Sequence, residues 1–325
     1  MRSMKKYDNK NPLFFLFTCV KDGKAYINKL FDSLLSQTKV NFVHYIYEDG
    51  SSDPVEDLVD TYKEKVSKLE HPYKVVYEKN PTNIGLNMST KHCIDMCCCP
   101  YFIWIDCDNW VDKNFFKELE KLYLKHKNSV MLRSYLYNGS TNNMQSFSST
   151  DIKNINSKYP FGMLLRRKYY YSFFAVNYKF YKQINKNNIM LDKRSFYNDE
   201  QILFLILSNT NKSCINKNAI GYFTVRDDME SKHYAPSQNE IRDYCLELAS
   251  RIDKGFLVST SAYFDILNLY RKLNESVQNN LDESNSIIKK IKQISHDYRI
   301  DLHNYYDHSL IKWKFRIIKR KLARQ

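Results

Sequence analysis

Glycine and proline are scarce in this chain, seven of each among 325 residues. That excludes collagen-like and Pro/Gly low-complexity classes. Long apolar runs are missing too. The longest goes only from Leu13 to Val20, whereas a membrane span needs about 20 residues; no transmembrane segment is expected. Basic residues between Met1 and Lys10 precede that run, but Lys21 and Asp22 close it and no small-residue cleavage site follows. No secretory signal is therefore read. Metal-type cysteine spacing is lacking as well. Cys19, Cys93, Cys97, Cys98, Cys99, Cys107, Cys214 and Cys245 contain no two separated Cys-x2-Cys pairs. They read as buried reduced thiols packed as small hydrophobes, which implies a reducing compartment, the cytoplasm. RNP, KH, zinc-finger and helix-turn-helix patterns are absent, so no nucleic-acid partner is expected.

What is present is enough to fold. Apolar residues make up 43% and aromatics 15% of the chain, sufficient to bury a core. The formal net charge is +14, from 50 basic and 36 acidic side chains. Half of it sits in the tail 310–325, where Lys312, Lys314, Arg316, Lys319, Arg320, Lys321 and Arg324 face no acid. Ile311, Phe315, Ile318 and Leu322 form an apolar stripe there at helical spacing, with Trp313 beside it. A basic amphipathic helix with a tryptophan reads as an interfacial membrane anchor. The alternative is a helix packed on its own domain with a solvated basic face.

Along the chain, 13–20 reads as an apolar strand and 23–36 as a helix carrying Ile27, Leu30, Phe31, Leu34 and Leu35 at i, i+3, i+4, i+7, i+8. Phe42 to Tyr47 is a second strand, followed by a turn with Asp53 expected as cap of the next helix. Lys74 to Tyr77, Tyr101 to Ile105 and Val130 to Tyr135 are further strands; helices fill 86–98 and the stretch after Asp112, its expected cap. This alternation predicts an α/β fold with a mostly parallel sheet flanked by helices. From about 236 the pattern turns helical, beginning with a capping box at Ser237 and Glu240. The expected organisation is an extension over 1–12, an α/β domain over 13–235 and a helical appendage over 236–325 that ends in the basic helix.

Ligands of parallel sheets sit beyond the carboxyl ends of the strands. That rule singles out Thr18-Cys19-Val20, Glu48-Asp49-Gly50 and Asp106-Cys107-Asp108. In a strand, i and i+2 share a side, so Asp106 and Asp108 can together hold a hard divalent cation such as Mg²⁺ or Mn²⁺. Asp49 fits either a contact to a base N–H or an Asx turn. Asp199, before the apolar run from Ile202 to Leu207, fits either a general base or a helix N-terminal acid. Tyr169, Tyr170, Tyr171, Phe173 and Phe174 fit sugar stacking or core packing. His303 and Asp307 read as surface.

Together these residues resemble glycosyltransferase family 2, whose members have the GT-A fold. Four segments match in order: Ser33-Leu34-Leu35-Ser36-Gln37-Thr38 with Glu48-Asp49-Gly50-Ser51-Ser52-Asp53; Asn83-Ile84-Gly85; Asp106-Cys107-Asp108; and Asn198-Asp199-Glu200 with the late segment Tyr222 to Arg226. They span roughly two thirds of the chain. Three departures stand out. Glu48 replaces an Asp, Thr90 and Lys91 stand where Arg-Asn is common, and Asn198 replaces a Glu.

The resemblance implies an inverting, metal-dependent transfer of a sugar from a nucleotide sugar, most often UDP-linked, to a hydroxyl of a glycan or lipid-linked acceptor. It implies Asp108 and Asp106 as metal ligands, and Asp199 as base. Thr18, Asp49, Asn83, Gly85, Asp106 and Arg226 would contact the nucleotide. Lys232 and His233 would be further phosphate or metal contacts, with a surface histidine as the alternative for His233. With the basic tail, the expected setting is the inner face of the membrane, in surface polysaccharide or glycoconjugate assembly. Two alternatives remain open at this point: a retaining GT-A transferase, and a catalytically impaired domain kept as a basic membrane scaffold.

Overall fold

The computed structural model describes residues 12–138, 144–145, 173–185, 213–224 and 281–297, with single helical positions at 202, 205, 206, 209, 243, 246, 247, 250, 261, 265, 268, 269 and 272. The chain divides into two compact units: Met1–Ser148 with Tyr170–Met229, and Ser149–Tyr169 with Glu230–Gln325.

In the first unit strands and helices alternate. They are β1 (Phe14–Val20), α1 (Ile27–Leu35), β2 (Phe42–Asp49), α2 (Glu56–Ser67), β3 (Val75–Asn80), α3 (Leu86–Asp95), β4 (Tyr101–Trp104), β5 (Trp110–Val111) and α4 (Phe115–Lys125). Then come β6 (Met131–Asn138), β7 (Met144–Gln145), β8 (Ala175–Asn177), α5 (Tyr178–Ile184) and β9 (Ser213–Phe223). The sheet order is β3-β2-β1-β4-β8-β6-β9-β5, with β7 on β6. The half from β3 to β4 is parallel. Beyond it the sheet is mixed: β8 runs antiparallel to both β4 and β6, while β9 runs parallel to β6 and antiparallel to β5. The α/β class holds, but the purely parallel series ends at β4. The strand expected at Val130 to Tyr135 is not its next neighbour, because β8 lies between them.

β1 and β2 are buried on both sides, so their two sets of alternate residues meet different helices, whereas the edge strand β3 is only partly buried. Leu16, Thr18 and Val20 of β1 and His44, Ile46 and Glu48 of β2 share the side of α1 and α2. There Phe31 stacks on Tyr62 at 4.0 Å between centroids and meets His44 edge-on. On the other side Cys19, Tyr45 and Tyr47 meet α3: the Cys19 and Cys93 sulfurs are 3.7 Å apart, and the Tyr47 ring lies 4.7 Å from that of His92. The α1 periodicity is realised, with Ile27, Leu30, Phe31 and Leu34 buried.

Two expected caps are corrected. The residue preceding α2 is Val55, and its N–H is taken by the Glu48 carboxylate at 3.1 and 3.2 Å; Asp53 instead pairs with Lys24 at 3.0 Å. Asn114 precedes α4, while Asp112 folds the turn before it by accepting the Asn114 N–H at 2.8 Å. The seven described cysteines are free thiols; Cys93, Cys97 and Cys99 are buried as expected, whereas Cys98 is exposed. Phe173 and Phe174 are core residues.

In the second unit the described residues are helical. Its longest described element is α6 (Leu281–Asp297), which buries Ile287 and Ile291 one turn apart and exposes Lys289, Lys290 and Lys292. Among the described residues no helix is long and apolar enough to cross a membrane. The tail 310–325, with His303 and Asp307, lies outside the described residues, as do Tyr169, Tyr170 and Tyr171.

Candidate active site

The carboxyl ends of β1, β2, β3 and β4 form one rim, and their loops hold each other. After β1, Asp22 adopts φ 50° and accepts the Ser52 N–H at 2.8 Å and the Ser52 hydroxyl at 2.9 Å; its own N–H donates to Ser51 Oγ at 2.9 Å. A bond from Lys21, then the Ser52 N–H, pull the Asp22 carboxyl down to about 2. Gly23 lies so close to the next turn that a Cβ there would stand 2.6 Å from Cys107 Sγ.

After β2 the two adjacent acids point to opposite sides of the sheet. Glu48, fully buried, takes the Val55 N–H and the Tyr77 hydroxyl. Asp49, 3% exposed, accepts the Ile84 N–H at 2.8 Å and the Gly85 N–H at 2.9 Å, with Asn80 Nδ2 at 3.4 Å. Asn83 Oδ1 shares the Gly85 N–H at 2.8 Å. Gly50 (φ 65°) presses on this loop: a Cβ would lie 2.4 Å from the Asn83 nitrogen. Gly85 at φ 91° then opens α3. Asp49 thus builds the Asn83–Gly85 loop, taking N–H groups 35 and 36 positions away rather than forming the local Asx turn that was one of its two expected roles.

Past β4, Asp106 and Asp108 are both half-buried. Asp106 Oδ1 accepts the Trp104 indole N–H at 2.8 Å and Oδ2 the Asn109 amide at 3.1 Å. Asn109 Oδ1 in turn accepts the Thr224 N–H at 2.9 Å, and the Thr224 hydroxyl donates to the Asp108 carbonyl. Among the described residues no group of three or more His, Cys, Asp or Glu could enclose a metal. Two carboxylates suit a hard cation that completes its shell with phosphate oxygens and water.

The structure therefore brings Asp49, Asn83, Gly85, Asp106 and Asp108 to one edge. It turns Thr18 away. The Thr18 side chain is fully buried and its hydroxyl lies 3.2 Å from His44 Nε2, so this hydroxyl serves the core, correcting the expected nucleotide contact. His44 Nδ1 lies 3.2 Å from the Tyr62 hydroxyl, which meets Tyr73 at 2.7 Å. Burial pushes His44 down to about 3, so it is neutral. Asp199, Arg226, Lys232 and His233 lie outside the described residues. The sequence reading missed Asn109 and Thr224 as partners of the carboxylate turn. The signal for Asn109 was its place directly after Asp108; Thr224 is remote in sequence and carried none.

The family model for glycosyl transferase family 2 matches residues 16–186, slightly more than half of the chain. The chain belongs to glycosyltransferase family 2. Among curated proteins it is similar to an uncharacterized glycosyltransferase of Haemophilus influenzae, 23% identical over 199 residues, which are 59% of this chain and 55% of that protein. It is also similar to the putative glycosyltransferase EpsH of Bacillus subtilis, 26% identical over 110 residues, 34% of this chain and 30% of that one. The chain thus spans about half or less of the length of these curated relatives.

The fold of this family 2 chain is shared with S. aureus TarS 1–349 in complex with UDP-GlcNAc, at a TM-score of 0.59 and 14% identity, covering 90% of this chain and 89% of that one. It is shared too with the mannosyltransferase PcManGT of Pyrobaculum calidifontis in complex with GDP-Man and Mn²⁺, at a TM-score of 0.56 and 9% identity, covering 90% and 83%.

Proposed function

We propose that this chain is an inverting glycosyltransferase. It takes a sugar from a nucleotide sugar, UDP-linked in our reading, and passes it to a hydroxyl of a glycan or lipid-linked acceptor. The observation that carries the reading is the shared rim: the Asp49-built loop and the Asp106/Asp108 turn stand at the ends of β2 and β4, the two strands that flank β1, in a family 2 fold. The base lies against Asp49, Asn83 and Gly85. Asp106 and Asp108 face the diphosphate, and a divalent cation held there supplies charge neutralisation to the leaving group. Fold neighbours solved with UDP-GlcNAc, and with GDP-Man and Mn²⁺, support the donor class and the cation.

Asp199 is the base that takes the acceptor proton. The acceptor oxygen bonds to the anomeric carbon from the face opposite the diphosphate. The bond to phosphate breaks, and the nucleoside diphosphate leaves with the bonding pair. Arg226 and Lys232 add positive charge near that leaving group, with His233 beside them. The helical region from about 236 is a separate appendage. Its tail 310–325 holds the enzyme to the anionic inner face of the membrane, where a lipid-linked acceptor is met during glycoconjugate or surface polysaccharide assembly.

The test is a binding screen of UDP, GDP, CMP and their sugar conjugates with Mn²⁺ or with chelator, on wild type and Asp108→Ala. The reading expects one nucleotide to bind only with metal, and the variant to lose it. Well-folded protein that binds no nucleotide under any condition would refute the reading and favour the membrane scaffold.

A further inference from the structure

The turn after β4 carries a third side chain whose placement bears on how the carboxylates act. Asn109 is 5% exposed, and both ends of its amide are used. Nδ2 donates to Asp106 Oδ2 at 3.1 Å, while Oδ1 accepts the N–H of Thr224 at 2.9 Å. Its backbone N–H closes the turn on the Asp106 carbonyl at 3.1 Å. Thr224 then returns a hydroxyl bond to the Asp108 carbonyl. A single buried amide therefore connects the side chain of one acid with the residue that holds the backbone of the other. Thr224 directly follows β9 and stands two residues before Arg226.

The geometry has a chemical consequence. A carboxylate beside a cation must be held in a defined plane, and a neutral donor on each oxygen fixes that plane while leaving lone pairs for a ligand. Trp104 holds Oδ1 at 2.8 Å and Asn109 holds Oδ2, so the plane of the Asp106 carboxylate is set before any ligand arrives. Preorganisation of this kind lowers the reorganisation needed when charge develops on the diphosphate. The amide is suited to the task because it donates and accepts at once. An aspartate there could seat Thr224 but would set a second negative charge against Asp106.

We infer that Asn109 is a positioning residue of this transferase. Its amide orients Asp106 toward the cation and diphosphate, and by seating Thr224 it ties that turn to the segment leading to Arg226, so that ligand binding at the turn and order at Thr224 rise and fall together. The inference rests on the reading of Asp106 and Asp108 as the cation site.

The experiment uses the full chain with Mn²⁺ and UDP as probes. Calorimetry gives affinities for wild type, Asp108→Ala, Asn109→Ala and Asn109→Asp, and hydrogen exchange follows the Thr224 amide. Loss of such a supporting partner typically lowers metal affinity about 10–100-fold, and Asn109→Ala is expected in that range, with faster exchange at Thr224. Asn109→Asp keeps the acceptor for Thr224 and so keeps its amide protected. It loses the donor to Asp106 Oδ2, so its Mn²⁺ affinity is still expected to fall. A merely structural asparagine would not lower Mn²⁺ affinity while the Thr224 amide stays protected. Asn109→Ala within about twofold of wild type, while Asp108→Ala abolishes binding, overturns the inference and leaves the site reading intact. Wild type and Asp108→Ala binding Mn²⁺ and UDP equally, or not at all, overturns the site reading and the inference with it.

Discussion

Replacing Asp49 by asparagine separates two roles that a carboxylate can have at this rim. In the structure its two oxygens accept different backbone donors, Ile84 N–H at 2.8 Å on Oδ1 and Gly85 N–H at 2.9 Å on Oδ2, in a site 3% exposed. Asparagine has one acceptor oxygen. If that oxygen stays on Ile84, the new NH₂ faces the Gly85 N–H, donor against donor. Gly85 then falls back on Asn83 Oδ1, already 2.8 Å away, which softens the loss. A hydrogen bond to a charged group contributes about 1.5–3 kcal/mol, so Asp49→Asn is expected to cost about 2 kcal/mol. Asp49→Ala removes both acceptors and leaves Ile84 N–H without one. Its expected cost is about 3–4 kcal/mol by the same principle. The assay is urea unfolding of the ligand-free protein, with melting temperature alongside. At about 2–4 °C per kcal/mol for a domain of this size, the alanine variant melts roughly 6–16 °C lower. A residue whose whole purpose was to touch the base would leave ligand-free stability unchanged. If both variants stay within about 0.5 kcal/mol of wild type, the small effect typical of surface changes, the loop-building account of Asp49 is wrong.

Two further outcomes follow from the same elements. His44 is held neutral by burial, with its pKa lowered from 6.5 to about 3. Between those values the unfolded chain binds the proton and the folded one does not, so stability is full above pH 6.5 and falls as pH drops below it. The loss at pH 4.5 is about 2–3 kcal/mol; His44→Gln, which keeps a donor and an acceptor but does not titrate, lacks this component, and parallel urea-derived stability curves for the two proteins between pH 7.5 and 4.5 would refute it. Gly50→Ala puts a methyl group 2.4 Å from the Asn83 nitrogen and 2.6 Å from the Thr82 carbonyl carbon at a φ of 65°. The left-handed conformation alone costs about 1–2 kcal/mol and backbone atoms cannot step aside. Stability is therefore expected to fall by at least that amount and nucleotide affinity to fall with it, whereas a neutral result in both assays would remove the close approach from the account.

Much of the parallel half was legible because its signals are local. The apolar run at Leu13 to Val20 and the spacing of Ile27, Leu30, Phe31 and Leu34 each predict an element that is there, with those side chains buried. Asp49 and the Asp106–Asp108 pair were legible as strand-end acids, a position that follows from the alternation of elements alone. Other features were hidden for stated reasons. Strands as short as β5 and β8 have no room for a period, and the insertion of β8 between β4 and β6 is a long-range choice. Thr18 was misread because β1 is buried on both sides, so hydrophobicity does not tell which alternate set faces the helices. The capping of α2 went to Glu48, seven residues before Val55 and in another element, where a search for a neighbouring cap does not look.

The sheet also shows where this chain can change length at small cost to its parallel half. Along β6, one edge is taken by β9. The other edge carries β7 at Leu136 and Tyr137 and β8 at Met131 and Leu132. β7 and β8 therefore meet the same edge of β6, with Gln145 opposite Leu136 and Ala175 opposite Leu132, on the order of 13 Å apart along the strand, so both ends of the connecting stretch are fixed on β6. Closure of such a stretch is settled by the strand itself, and each doubling of its length adds only about 0.6 kcal/mol. Asp49 hangs from β2, away from this edge, while β8 is fastened to β4 below the Asp106 turn, with the Phe173 N–H on the Trp104 carbonyl at 2.9 Å. A lineage could change the length of that stretch while the strands that carry Asp49 and Asp106 keep their register.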